Sequence, residues 1–168
     1  MPPSNYLDFV NAAAVNHTGT NLLPKSLPSF NSVLLYEDSK SGERAWDFYE
    51  QLTRKFEGDF DFGHLMWSFS VLGDQKTHRL AVRSAADAHL VILSLVGNAP
   101  LPPSVMDWVE RWSWLVGQRN SALVTLMGDK KIAETVAETH AYLHRILGSR
   151  KIDFFPHSTS VLRMSHLE

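Results

Sequence analysis

An acidic pair and a hydroxyl-containing loop directly follow the first strongly apolar segment of the chain, residues 32–36. Adjacent carboxylates supply oxygen ligands of the kind that Mg²⁺ prefers. A loop with hydroxyl groups and a glycine that leads into a helix can instead bind a phosphate through free backbone N–H groups. The sequence therefore indicates a cation site, a phosphate site or an ordinary solvated loop. The candidate residues are Glu37, Asp38, Ser39, Ser41 and Gly42.

The cysteine and histidine content limits other chemistries. The chain has no cysteine, which excludes disulfides, thiol nucleophiles and thiolate-bound metals. His140 and His144 lie four residues apart on a predicted helix, but the neighbouring sequence offers no third metal ligand. We therefore expect both histidines to face solvent. No nucleophile and base pair can be assigned, so the sequence favours a protein without catalytic activity.

Three tryptophans crowd one predicted helix. An apolar stripe that contains Trp112 should face the sheet, and Trp114 points about 200° away from Trp112 on a regular helix. A tryptophan on the outer face indicates either a protein–protein surface or another segment of the same chain that folds over it. The amino-terminal segment, through Tyr6, Phe9 and Val10, is the candidate for that cover. The candidate interface residues are Trp108, Trp112 and Trp114.

Composition and charge are those of an ordinary globular protein. The 168 residues carry 16 basic and 18 acidic side chains, for a formal net charge of −2. One domain fits this length, and the charge gives no reason to expect nucleic acid or an anionic membrane as a partner. No apolar run approaches the roughly 20 residues that cross a bilayer, and the amino terminus does not resemble a secretory signal. We expect a cytoplasmic protein.

Apolar runs and helical periodicity alternate along the central part of the chain. Continuous apolar runs predict buried strands, and apolar residues at spacings of three and four predict helices with one buried face. The predicted strands are 32–36, 60–69, 89–95, 121–127 and 151–155, and the predicted helices are 42–57, 74–88, 104–117 and 129–147. Asp74, Ser104 and Asp129 are predicted to begin helices. Glycines just beyond three predicted helix ends indicate where the helices stop, at Gly58, Gly117 and Gly148.

This alternation predicts an α/β fold, a three-layer α/β/α sandwich around a five-stranded parallel sheet. The flavodoxin-like strand order 2-1-3-4-5 is the common solution for five strand–helix units of this length. We assign residues 32–156 to the domain and residues 157–168 to a carboxyl-terminal tail. Residues 1–31 are predicted to form a tail that is mobile or packed on the surface, with helical structure near residues 6–14.

The predicted fold also indicates where a ligand would bind. In an open parallel sheet the crevice lies beyond the carboxyl ends of the strands, at the switch point between the first and third strands of this order. The loop after the first strand reaches that crevice. Ser94, after the third strand, and Thr125, near the end of the fourth, reach it as well.

The segment from Val33 to Asp38, followed by Arg44 and a helix, resembles the start of response-regulator receiver domains. The resemblance continues at residues 86–94 and implies a bacterial-type signalling domain in which the acidic pair binds Mg²⁺. Receivers carry a phospho-accepting aspartate at the end of the third strand, and this chain has Ser94 there. The receiver lysine after the fifth strand has no counterpart, and Thr125 matches the receiver hydroxyl only loosely. A serine hydroxyl needs a base before it can attack phosphorus, so the resemblance implies a pseudo-receiver without phosphotransfer.

The loop also resembles in part the phosphate loop of flavodoxins, which holds FMN through hydroxyl groups and a glycine at a helix start. Ser39, Ser41 and Gly42 fit that pattern, and Arg44 stands where its last hydroxyl would be. Carboxylates beside the loop would repel a phosphate unless a cation intervened.

Two functions therefore remain open. The first is a non-catalytic, receiver-like regulatory or interaction module that binds a protein partner or itself, with no cofactor other than Mg²⁺ at the acidic pair. The alternative is a small-molecule-binding protein that holds FMN or another phosphate-bearing ligand at the loop.

Overall fold

A computed structural model describes residues 6–18, 26–116 and 120–158 of the chain. Five parallel strands form one sheet in the order β2-β1-β3-β4-β5. The predicted flavodoxin-like, three-layer α/β/α architecture is confirmed. The strands are β1 (Ser29–Tyr36), β2 (Asp61–Ser68), β3 (Leu90–Leu95), β4 (Ala122–Met127) and β5 (Asp153–Ser158), and the helices are α1 (Tyr6–Thr18), α2 (Ser39–Lys55), α3 (Gln75–Ala86), α4 (Pro103–Val116) and α5 (Ala133–Ser149).

The central strands are buried on both faces, and every residue of β3 and β4 is buried. This explains why their sequences are continuous apolar runs rather than alternating ones. One face of the sheet packs against α3, α4 and α5, where Trp108 and Leu143 are fully buried. The other face packs against α1 and α2, where Phe48 and Val10 are buried.

Helix α1 belongs to the core of the domain. Phe9 and Val10 pack in the same apolar cluster as Val124 of β4 and Phe155 of β5. Tyr6 lies against Phe48 of α2, with ring centroids 4.8 Å apart. The amino-terminal segment therefore covers the α2 face of the sheet, so it does not cover Trp114 on the opposite face. Strand β1 also begins earlier than predicted, at Ser29.

Two of the predicted helix starts differ in the structure. Asp74 caps α3 as expected, accepting a hydrogen bond from Thr77 N at 2.9 Å. Asp129 does not cap α5, which begins only at Ala133. The N–H of Ile132, the residue just before this helix, donates to Gly97 O and so holds the segment against the neighbouring loop. Helix α4 begins at Pro103, which places Ser104 inside the helix rather than at its cap.

Three smaller differences concern helix ends, one buried position and the second strand. Gly58 follows the end of α2 with a positive φ of 90°, as a helix-ending glycine should. Gly148 lies within α5, and Gly117 lies outside the described residues. Leu80, which the three- and four-residue spacing of the predicted helix 74–88 would place on its inner face, is 52% exposed. Phe69 belongs to a short 3-10 helix, Phe69–Gly73, rather than to β2.

No helix in the described part of the chain is long and apolar enough to cross a membrane.

Candidate functional site

The carboxyl ends of β1 and β3 are joined by Glu37. Its Oε2 accepts a hydrogen bond from Val96 N at 2.7 Å, and its backbone N–H donates to Ser94 O at 3.1 Å. The Glu37 side chain is half-buried rather than free in a solvated loop. This hydrogen bond holds the end of β1 against the loop after β3, because the carboxylate accepts from a backbone N–H that the sheet leaves unpaired.

Asp38 is the N-cap of α2. Its Oδ1 accepts a hydrogen bond from Ser41 N at 2.8 Å, and its carbonyl oxygen accepts one from Gly42 N at 2.8 Å. The Ser41 N–H bond is the main reason why the pKa of the Asp38 carboxyl is lowered, and the positive charges of Arg44 and Lys40 add to the effect. The second acid of the pair therefore stabilises a helix start.

In the hydroxyl-containing loop, the groups that would bind a phosphate are mostly engaged or buried. Ser39 is exposed, but the Ser41 side chain is fully buried and its N–H is already bonded to Asp38. Gly42 is buried under the ring of Tyr36, and a Cβ at this position would lie 3.1 Å from that ring. The glycine is thus needed for close packing of α2 on β1. A phosphate at this loop would have to compete with the Asp38 carboxylate for the Ser41 N–H.

Arg44 reaches the same edge of the sheet and was not among the predicted site residues. Its Nη1 donates to Leu95 O at 3.3 Å. Its Nη2 would lie 3.1 Å from a Cβ added at Gly128, so the guanidinium extends across the ends of both β3 and β4. The glycine that directly follows the β4 apolar run is the one sequence signal for this arrangement, since it leaves room for the arginine.

Ser94 and Thr125 do not share a site. Ser94 pairs in register with Leu126, and Thr125 precedes Leu126 by one residue on β4. Successive side chains of a strand point to opposite faces, so Ser94 faces the α2 side and Thr125 faces the α5 side. The Ser94 hydroxyl is buried without a hydrogen-bond partner among the described residues, and no base contacts it there.

Thr125 contacts a histidine instead of the crevice. Its Oγ1 lies 3.1 Å from Nε2 of His140, which is half-buried. The expectation that His140 faces solvent beside His144 is therefore wrong, and only His144 is exposed. Both rings lie edge-on to Phe154. Burial, together with the charge of His144, lowers the pKa of His140.

The two carboxylates of the acidic pair do not converge on one point in the structure. Two carboxylates that share a cation must converge on it, whereas Glu37 and Asp38 turn to different backbone donors, Val96 N and Ser41 N. The guanidinium of Arg44 already brings a positive charge to this edge. Among residues 6–18, 26–116 and 120–158, no group of three or more His, Asp or Glu side chains is arranged to hold a metal ion.

The three tryptophans of α4 fall into two classes. Trp108 and Trp112 are fully buried, with their rings stacked at 5.5 Å, and Trp112 Nε1 donates to Ala85 O at 3.0 Å. These two candidates for an interface belong to the core. Trp114 is 71% exposed and Leu115 beside it is 55% exposed. The predicted interface is thus reduced to the outer face at the end of α4.

A groove of about 320 Å³ runs beside Trp114, between α3 and α4. His78 lies buried at one end, where its Nδ1 is 3.0 Å from Leu72 O and its Nε2 is 3.2 Å from Asp107 Oδ2. The same Asp107 oxygen is 2.9 Å from Nε of Arg111, which fixes that arginine along the groove. The described residues that line the groove are His78, Arg79, Val82, Arg83, Arg111, Trp114 and Leu115.

The fold and these two regions define a flavodoxin-like α/β domain in which backbone N–H groups engage both acids at the end of β1, and in which a tryptophan on α4 is exposed. No protein-family model matches the sequence, and neither a curated protein nor a solved structure matches it significantly. Function is therefore inferred from the geometry of the chain itself.

Proposed function

We propose that this protein is a receiver-like interaction module that acts by binding, without a phosphotransfer step, through the end of α4. The observation that carries the proposal is the 71% exposure of Trp114 next to an exposed Leu115. Tryptophan is strongly enriched among the residues that dominate binding energy at protein interfaces. An exposed Trp–Leu pair beside a groove is therefore a better candidate for a docking face than for an ordinary solvated surface.

The crevice supports the absence of phosphotransfer. A covalent phosphoryl step on Ser94 would require a base to take the hydroxyl proton, and no base contacts this buried hydroxyl among the described residues. Glu37 and Asp38 are engaged by backbone N–H groups. In this proposal the acidic pair and Arg44 hold the edge of the sheet together and have no chemical role.

The receiver kinship, a signalling role and a cytoplasmic location are parts of the same proposal. The strand order β2-β1-β3-β4-β5 and the acidic pair at the end of β1 support the kinship. The closed loop at Ser41 gives the alternative, a flavin or another phosphate-bearing ligand, no comparable support.

Intact mass spectrometry tests the chemical half of the proposal. The protein is incubated with Mg²⁺ and a small phosphodonor such as acetyl phosphate, and the expected result is an unchanged mass. A stable gain of one phosphoryl group that Ser94→Ala abolishes would contradict it. An absorption spectrum of the freshly purified protein tests the alternative, since a retained flavin would replace the binding-module proposal with a flavin-binding one.

A further inference from the structure

Two exposed surfaces of this chain have opposite charge, and each is built around a large apolar side chain. The first, here called the Trp114 surface, consists of Arg79, Arg83, Arg111, Trp114 and Leu115. The second, here called the Trp46 depression, consists of Tyr36, Ser39, Gly42, Glu43, Trp46, Asp47 and Met66.

The Trp114 surface is convex at the tryptophan and basic around it. The guanidinium of Arg150 lies 4.8 Å from the Trp114 ring centroid and is itself anchored by a 3.2 Å hydrogen bond from its Nε to Ser113 Oγ. This contact supports the indole from one side and leaves most of it in solvent. Arg79, Arg83 and Arg111 line the groove beside it. Asp107 lies just outside that lining and pairs with Arg111.

The Trp46 depression has the reverse charge. It is open, with a volume of about 420 Å³, and Trp46 and Met66 in its wall are 37% and 36% exposed. Glu43 and Asp47 lie one helical turn apart on its rim, and no lysine or arginine of the described residues lines it.

We propose that the Trp114 surface of one copy docks in the Trp46 depression of a second copy. The indole would pack against the apolar wall formed by Trp46 and Met66. The arginines around it would form ion pairs with Glu43 and Asp47. This inference rests on the proposed function, because it takes Trp114 as the docking residue and names the partner as this same chain.

The positions of the two surfaces determine the kind of assembly. The Trp114 surface lies on the α3–α4 layer, and the Trp46 depression lies against α2 on the opposite layer. A copy that has docked its tryptophan therefore still offers its own depression, so association is head to tail and continues past a dimer, into a ring or an open chain. A symmetric pairing of two Trp114 surfaces would instead set arginine against arginine, which is unfavourable.

Sedimentation velocity of the full chain at rising concentration and low salt tests the inference. The weight-average mass should rise past that of a dimer, and added salt should lower it. Trp114→Ser should reduce the association constant at least tenfold, whereas Ile132→Ser, which removes another half-exposed apolar side chain, should leave it unchanged. A wild-type monomer up to about 1 mM, or a dimer that does not grow, would overturn the inference.

A charge exchange tests the pairing of the two surfaces directly. Glu43→Arg/Asp47→Arg makes the depression basic. Arg79→Glu/Arg83→Glu makes the groove acidic, because the third lining arginine, Arg111, is paired with Asp107. Each variant alone should be monomeric, because both of its surfaces then carry the same sign. An equimolar mixture should associate, because each surface again meets its opposite.

The matched control is Glu134→Arg/Glu138→Arg, which reverses two exposed acids one turn apart on α5. It should associate as the wild type does. If the mixture of the two charge variants stays monomeric while wild type associates, the surfaces are paired wrongly and the inference fails. A monomeric wild type leaves the proposed function to be judged separately, by whether Trp114 contacts another protein.

Discussion

The carboxylate of Glu37 accepts a hydrogen bond of 2.7 Å from the backbone N–H of Val96 and so ties the end of β1 to the loop after β3. The two strands are neighbours in the sheet, and the bond continues their ladder beyond its last backbone pair. The first acid of the pair thus serves the fold in this chain.

Removing the Glu37 carboxylate should destabilise the fold. Glu37→Ala leaves the Val96 N–H without its charged acceptor, and we expect the free energy of unfolding to fall by about 1–3 kcal/mol. Glu37→Gln keeps an acceptor oxygen and should lose clearly less. Urea unfolding followed by circular dichroism measures both. Equal losses for the two variants would mean that the hydrogen bond is not what Glu37 contributes.

Asp38 should contribute to stability as a helix cap. Asp38→Ala should cost about 0.5–2 kcal/mol, and Asp38→Asn should retain most of the cap. Asp129→Ala, at an exposed acid that caps no helix, is the matched control and should change stability by less than about 0.5 kcal/mol. If Asp38→Ala unfolds at the same urea concentration as this control, Asp38 does not cap α2.

The Asp38 cap should also be visible in the pH dependence of stability. The folded state lowers the pKa of Asp38, chiefly through the Ser41 N–H, so the unfolded state takes up a proton at higher pH. Its contribution is present above the unfolded pKa of about 3.9 and is lost as the pH falls through the folded value. Unfolding curves below about pH 4 should therefore be less steep in pH for Asp38→Asn than for wild type.

The buried and exposed tryptophans of α4 should respond differently to truncation. Trp112→Ala opens a cavity in the core and removes the hydrogen bond to Ala85 O, so we expect a loss of about 3–5 kcal/mol. Trp114→Ala removes only an exposed ring and its contact with Arg150, so it should cost less than about 1 kcal/mol. Thermal unfolding of both variants checks the contrast, and a large loss at Trp114 would place that residue in the core.

His140 should make the protein less stable in mild acid. Burial lowers its pKa below the value of about 6.5 in the unfolded chain, so the unfolded state binds more protons in the interval between the two values. The free energy of unfolding should therefore fall as the pH drops through that interval, and it should not depend on His140 above it. His140→Gln, which can still contact Thr125, should reduce the slope between about pH 7 and 5. An unchanged slope would contradict the assignment.

The layered fold was predictable because each of its elements has a local signal. The continuous apolar runs of β3 and β4 require cover on both faces, and the three- and four-residue spacings of α2 place Ala45, Phe48 and Leu52 on the sheet. These signals agree with one another, and together they leave few topologies. The amino-terminal helix was harder to place, since nothing in its sequence says that Val10 packs on β4 rather than near Trp114.

The candidate site was less predictable because its details depend on register and on long side chains. Ser94 pairs with Leu126 rather than with Thr125, so Ser94 and Thr125 point to opposite faces of the sheet. This register cannot be predicted from the sequence of either strand alone. Arg44 donates to Leu95 O, which belongs to a strand far from Arg44 in sequence, so local sequence patterns do not predict this contact. The outward position of Trp114 was predictable from helical geometry, because α4 is regular and its stripe is strongly apolar.

Photo-crosslinking from position 115 tests the central claim, that the end of α4 is a docking face, most directly. A photoreactive amino acid replaces Leu115, next to Trp114, in the full chain expressed in its own cells, and the same group at exposed Ile132 is the control. We predict a discrete adduct from position 115, to a second copy or to another protein, that Trp114→Ser abolishes. Labelling from position 115 that does not exceed labelling from position 132, or that persists in Trp114→Ser, would contradict the claim.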